Sequence, residues 1–153
     1  MALSLDIEET IENAYITQLE ANTYITDNVI PVRRWRDASN SKVYPVIVVH
    51  CDSVSIDPVF GNAFLATPGL VTVACMTLKR DDETGAQVNT LKSEVRRTLS
   101  SACLVTDLNA LEAGLFIYEN GIEWGGASQD EDTNTIRRRD ITQQVTATVV
   151  DVP

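Results

Sequence analysis

Two β-branched runs constrain the fold most: "YPVIVVHCDSVSID" from Tyr44 to Asp57 and "GLVTVACMTLK" from Gly69 to Lys79. Valine, isoleucine and threonine are stiff at χ1 and suit a pleated surface better than a helix. Neighbours in an extended chain point to opposite faces. The second run is apolar at both parities, through Leu70, Val71, Val73, Cys75, Met76 and Leu78. The first is apolar at every position from Val46 to Val49. Both runs therefore read as interior strands, with Pro45 marking the first residue of its strand.

Two helical stripes supply cover for such a sheet. Ile7, Ile11, Tyr15 and Leu19 recur every four residues, and Asp6 with Glu9 forms a capping-box pattern, predicting a helix from about Leu5 to Ala21. Thr84 with Gln87 repeats that pattern ahead of Val88, Leu91, Val95 and Leu99, predicting a second helix from Gly85 to about Ser101. Lys92, Arg96 and Arg97 fall away from the second stripe.

The remaining segments read as strands and connections. "NVIPVRRWR" (Asn28 to Arg36) suits an edge strand, because Pro31 lacks an N–H. Ala38 to Lys42 is a polar loop, and Leu104 to Gly114 a short irregular or helical link. "LFIYENGIEWGG" reads as a hairpin about Asn120-Gly121. A polar, flexible loop is expected over 125–135. Ile141, Val145, Ala147 and Val149 then alternate with Thr142, Gln144, Thr146 and Thr148 in a half-exposed closing strand. Asp57 to Gly69 reads as a loop, yet it holds Val59, Phe60, Phe64 and Leu65. Either it is a lid on the domain's own core or a docking patch for a neighbour. The expected fold is α+β: a mainly antiparallel, mixed sheet packed with two amphipathic helices, as a single domain over 1–153.

The formal net charge is −10. That opposes binding to nucleic acid, which needs cations to displace counterions, even though "RRWR" pairs arginines with an aromatic. No apolar run reaches the roughly 20 residues of a membrane span. "MALSLDIEETIENAY" lacks the basic and apolar regions of a secretory signal, so a cytosolic location is the default expectation.

Catalytic signals are weak. His50-Cys51-Asp52 holds the residue types of a cysteine hydrolase, but strand neighbours cannot meet, and His50 is the only histidine. Asp130, Asp132 and Asn134 match the start of a calcium loop, which then fails at Thr135 and Ile141, where glycine and glutamate belong. Cys51, Cys75 and Cys103 are odd in number and widely spaced, which fits neither a disulfide framework nor a zinc site. No enzymatic activity, metal or cofactor is expected.

Charge segregation is the feature left to explain. Eight of the 12 basic residues fall into three groups: Arg33, Arg34, Arg36; Arg96, Arg97; and Arg137, Arg138, Arg139. Acids cluster at Glu8, Glu9, Glu12, at Asp81, Asp82, Glu83, and at Asp130, Glu131, Asp132. The last acidic and basic groups adjoin in "DEDTNTIRRR". Opposed clusters suit an assembly surface, and solvated surface charge is the plain alternative.

One family has this element order. The acidic helix "DIEETIENAYITQLEA", the strands "YPVIVVHCDSV" and "GLVTVACMTLKRDDE", the helix "TGAQVNTLKSEVRRTLS", and the threonine-rich "ITQQVTATVV" follow in sequence. Together the chain resembles the tail-terminator or tail-completion proteins of tailed bacteriophages. The resemblance spans the full length and rests on size and order, not on a short motif. It implies a structural virion protein that forms a hexameric ring, caps the tail tube, ends its polymerisation and joins the tail to the neck. Its partners would be itself, the tail-tube protein and a neck or connector protein, with DNA only passing through the lumen. Arg33, Arg34, Arg36, Phe60, Phe64, Arg96, Arg97, Asp130, Glu131, Asp132, Arg137, Arg138 and Arg139 become candidate interface residues. The arginines would face a neighbour or the tail tube and be dispensable for folding, while the acids would hang on a mobile loop toward the lumen or the partner ring. Another neck protein of the same particle, such as a head-tail connector subunit, is the nearest alternative. A small enzyme or a nucleic-acid-binding module lies further off.

Overall fold

The computed structural model describes residues 7–35, 43–52, 56–58, 63–66, 69–112, 114–125 and 130–150. In chain order they form α1 (Ile7–Glu20), α2 (Thr23–Asp27), β1 (Val32–Arg34), β2 (Val46–Asp52), β3 (Ile56–Pro58), β4 (Ala63–Ala66) and β5 (Gly69–Leu78). Then come α3 (Ala86–Leu99), α4 (Leu104–Leu111), β6 (Leu115–Trp124), β7 (Asp130–Asp132) and β8 (Ile136–Val150). The chain is a mixed α/β domain with one mostly antiparallel sheet.

β8 is the spine of that sheet. Six strands run across it in the order β1-β2-β5-β8-β4-β3, and β6 and β7 also pair with β8. β5 pairs residues 136–145 of β8 and β4 pairs 148–150, so these two lie end to end along one edge. β7 pairs 137–139 and β6 pairs 143–149, so they occupy the opposite edge. At 15 residues, β8 is about 50 Å long, enough to seat two strands on each side. β1 runs parallel to β2; the other described pairs are antiparallel.

All four described helices pack on one face. Ile47, Val49, Cys51, Val71, Val73, Cys75, Ile141, Val145 and Ala147 point there, against Ile11, Tyr15 and Leu19 of α1, Ile25 of α2, Val88, Leu91, Val95 and Leu99 of α3, and Leu104 and Leu108 of α4. A polar tie crosses this core. The Tyr15 hydroxyl donates to Gln143 Oε1 at 2.7 Å, and Gln143 Nε2 donates to the Leu99 carbonyl at 3.1 Å. Burial, then the nearby Cys51, pushes the Tyr15 phenol far above its ordinary range, so it stays a donor. On the other face a smaller cluster of Val46, Val48 and Ala74, flanked by Tyr44 and Met76, includes no helical residue.

Several expectations are corrected. A further helix, α2, joins the two predicted stripes, while the link expected to be irregular or helical is helical, as α4. Asp57 to Gly69 is not simply a loop: β3 and β4 fall within or beside it, and β4 extends the sheet past the end of β5. Asp82 caps α3 more closely than Thr84, accepting from the amides of Gln87 and Val88 at 3.0 Å each. The Asn120-Gly121 hairpin is absent. Ile117 pairs with Ala147 and Ile122 with Val145, so β6 keeps one direction and 118–121 bulge out. Glycine is needed there for space: a Cβ on Gly121 would lie 2.6 Å from the Thr146 carbonyl oxygen. The second half of the loop expected over 125–135 is β7 and its turn; 126–129 lie outside the described residues. Among the described residues no helix is long and apolar enough to cross a membrane.

Candidate interaction surface

The "DEDTNTIRRR" segment folds back on itself. Its turn is held by the Thr133 amide donating to the Ile136 carbonyl at 2.9 Å and the Ile136 amide donating to Thr133 Oγ1 at 3.0 Å. This registers Asp130 opposite Arg139, Glu131 opposite Arg138, and Asp132 opposite Arg137. Alternation along β8 sends Arg137 and Arg139 to the helical face and Arg138 to the other.

Arg137 and Arg139 are enclosed, with side chains 12% and 11% exposed. Arg137 donates from Nε to the Asp82 carbonyl at 2.8 Å, from Nη2 to the Glu83 carbonyl at 2.6 Å, and from Nη1 to Asp132 Oδ2 at 2.8 Å. Arg139 donates from Nη1 to Asp132 Oδ1 at 2.8 Å and from Nε to Asn89 Oδ1 at 3.1 Å. Lys92, predicted to face away, reaches Asp130 Oδ1 at 3.1 Å. The hydrogen bond from Arg139, and then the charges of both arginines, hold the Asp132 carboxyl below its ordinary range. Arg137 and Arg139, expected to face a neighbour, instead bond within the chain to Asp132, Asn89 and the Asp82 and Glu83 carbonyls, while Glu131 and Arg138 take no part in this pairing. Asp82 links the motif to α3. Burial alone would raise its pKa, but the Gln87 and Val88 amides, the Thr77 hydroxyl and Arg137 outweigh that and lower it.

The other candidates scatter. Arg33 is exposed on β1 opposite Val48, whereas Arg34 pairs with Glu9 of α1. Arg96 and Arg97 are exposed in the last turn of α3, where cations suit the helix dipole, and Arg97 lies 3.4 Å from Glu94. Glu131 is exposed. Phe64 lies on β4 opposite Val149. Arg36 and Phe60 lie outside the described residues.

Arg138 belongs to a different site. Its Nε donates to Asp140 Oδ1 at 2.7 Å, and its guanidinium stands 5.9 Å from the Trp35 ring. Trp35, Val48, His50, Thr72, Ala74 and Arg138 line a cavity of about 250 Å³ on the face opposite the four described helices. The Trp35 and His50 rings are 6.1 Å apart. Cys51, beside His50 in sequence, is buried on the helical face, so the two do not meet there. Buried Glu12 accepts from the Cys51 amide at 3.0 Å and lies 3.6 Å from His50 Nδ1. Sequence spacing gives no hint of this cavity, because its residues come from β2, β5, β8 and the residue that follows β1.

The face opposite the described helices and its adjoining edge expose Leu70, Trp35, Phe116 and Tyr118, and Trp124 is also half-exposed. Glu119 and Glu123 are exposed beside the β6 aromatics. No family model matches the chain, and no curated protein matches it significantly.

Proposed function

We propose that the chain is a structural subunit that assembles into a ring, of the kind that caps a phage tail tube and joins it to the neck. The observation that supports this reading is the one-sided architecture. Every described helix packs on one face of the sheet, and the opposite face carries exposed Trp35, Leu70 and Phe116. Exposed apolar residues grouped on one side mark an interaction surface better than scattered ones do.

Negative-stain imaging of the purified chain, with sedimentation at roughly 100 µM, tests the proposal, a range in which a specific but weak contact populates its complex. Sixfold rings that stop tail-tube growth in a polymerisation assay are the expected outcome. Rings that bind the connector but leave tube length unchanged would move the reading to a connector subunit. A monomer that leaves tube growth unlimited would overturn it.

A further inference from the structure

We infer that the ring contact joins the β6–β7 edge of one copy to the β1 edge of the next, acids against bases; this rests on the ring reading above. The two edges lie on opposite sides of the path β1-β2-β5-β8-β6, four strand spacings or about 19 Å apart. They cannot meet within one chain. Two different patches on one subunit, each fitted to the other, make a head-to-tail contact that closes into a ring.

The β6–β7 edge exposes Phe116, Tyr118 and Trp124. Glu119, Glu123 and Glu131 are exposed among and beyond them, and no ion pair joins them to another described residue. The β1 edge presents exposed Arg33 and, just beyond, Trp35 at 46% exposure beside the cavity that Arg138 and His50 help line. That cavity, at about 250 Å³, has room for one aromatic side chain. The exposed glutamates of one edge are therefore complementary in charge to Arg33 of the other, and the hollow opens on the sheet face next to that edge, with Trp35 as its wall on the β1 side.

The contact runs through side chains. Continuous backbone pairing along β6 is blocked by the bulge at 118–121. It is blocked again by Asn109 of α4, whose Oδ1 accepts from the Ile117 amide at 2.7 Å and whose Nδ2 donates to the Ile117 carbonyl at 3.1 Å. Charge at such a contact selects the partner edge, and the aromatics supply burial.

A charge-swap experiment tests this. Arg33→Glu alone, and Glu123→Arg with Glu131→Arg, should each weaken self-association at least about tenfold by sedimentation, because reversal turns attraction into repulsion. Combining all three changes in one chain should return association to within about threefold of the starting value. Melting of each variant reports folding. If the glutamate-to-arginine chain melts early, Glu123→Gln with Glu131→Gln is used instead, with a loss of about threefold expected. If the unaltered chain forms rings and the single-edge variants associate equally well, the edges are misassigned while the ring reading stands. An effect from the glutamates but none from Arg33 would mean that β6 meets something other than β1, and also overturns the assignment. If the unaltered chain forms no ring, the underlying reading fails as well.

Discussion

Replacing Arg137 by methionine keeps the aliphatic stem and removes the guanidinium. The side chain is 12% exposed and donates to the carbonyls of Asp82 and Glu83 and to the Asp132 carboxylate. A hydrogen bond from a charged donor is worth about 1.5–3 kcal/mol net. Glu83 is exposed, so water takes over that bond, whereas Asp82 is buried and its carbonyl is left with only the longer bond from the Gly85 amide at 3.2 Å. The expected cost is about 2–4 kcal/mol, set mainly by the lost charge-assisted bonds to the Asp82 carbonyl and the Asp132 carboxylate and by the loosened β7. For a domain of this size that lowers Tm by roughly 4–16 °C. Arg96→Met is the control. Arg96 is equally cationic but exposed in the last turn of α3, and its loss should stay within about 0.5 kcal/mol. Urea and thermal unfolding of both variants, with hydrogen exchange of the β7 amides, make the comparison. If Arg137→Met is as stable as Arg96→Met and the β7 amides exchange no faster, the arginine is surface charge and the reasoning fails.

Gly121→Ala forces a Cβ to 2.6 Å from the Thr146 carbonyl oxygen and should cost about 1–3 kcal/mol in chemical denaturation, since the obstacle is backbone. Val29 sits at φ 53° and is 85% exposed, so Val29→Asn should raise stability by about 0.5–1 kcal/mol, read as a higher urea midpoint with unchanged m. Asp82 and Asp132 both have lowered pKa values in the folded chain. Their contribution is therefore complete above the unfolded aspartate value of about 3.9 and is lost as pH falls through the lower folded values. Tm should hold steady down to about pH 5 and drop below about pH 4, and Asp82→Asn should flatten that acid limb.

Local pattern was enough for the elements whose cause is local. The four-residue recurrence of Ile11, Tyr15 and Leu19, and of Val88, Leu91, Val95 and Leu99, marks α1 and α3, because a helix brings such positions onto one face whatever they pack against. Doubly apolar runs likewise mark β2 and β5 as interior strands, and alternation assigns the faces of β8, including the split of Arg138 from Arg137 and Arg139. The rest depended on partners distant in the chain. Asn-Gly reads as a hairpin turn because glycine permits positive φ, yet Gly121 is required by the closeness of the Thr146 backbone, and sequence alone does not separate these two uses. Gln143 looks misplaced on the core face until Tyr15 and the Leu99 carbonyl, 128 and 44 residues away, complete its hydrogen bonds. "DEDTNTIRRR" shows its charges but not their targets. Whether an arginine meets solvent, a neighbour or its own chain depends on strand register and on where α3 crosses the sheet. Tertiary packing turned Arg137 and Arg139 inward onto Asp132 and the start of α3, because buried guanidinium groups must find acceptors, and those acceptors come from segments that meet only in the folded sheet.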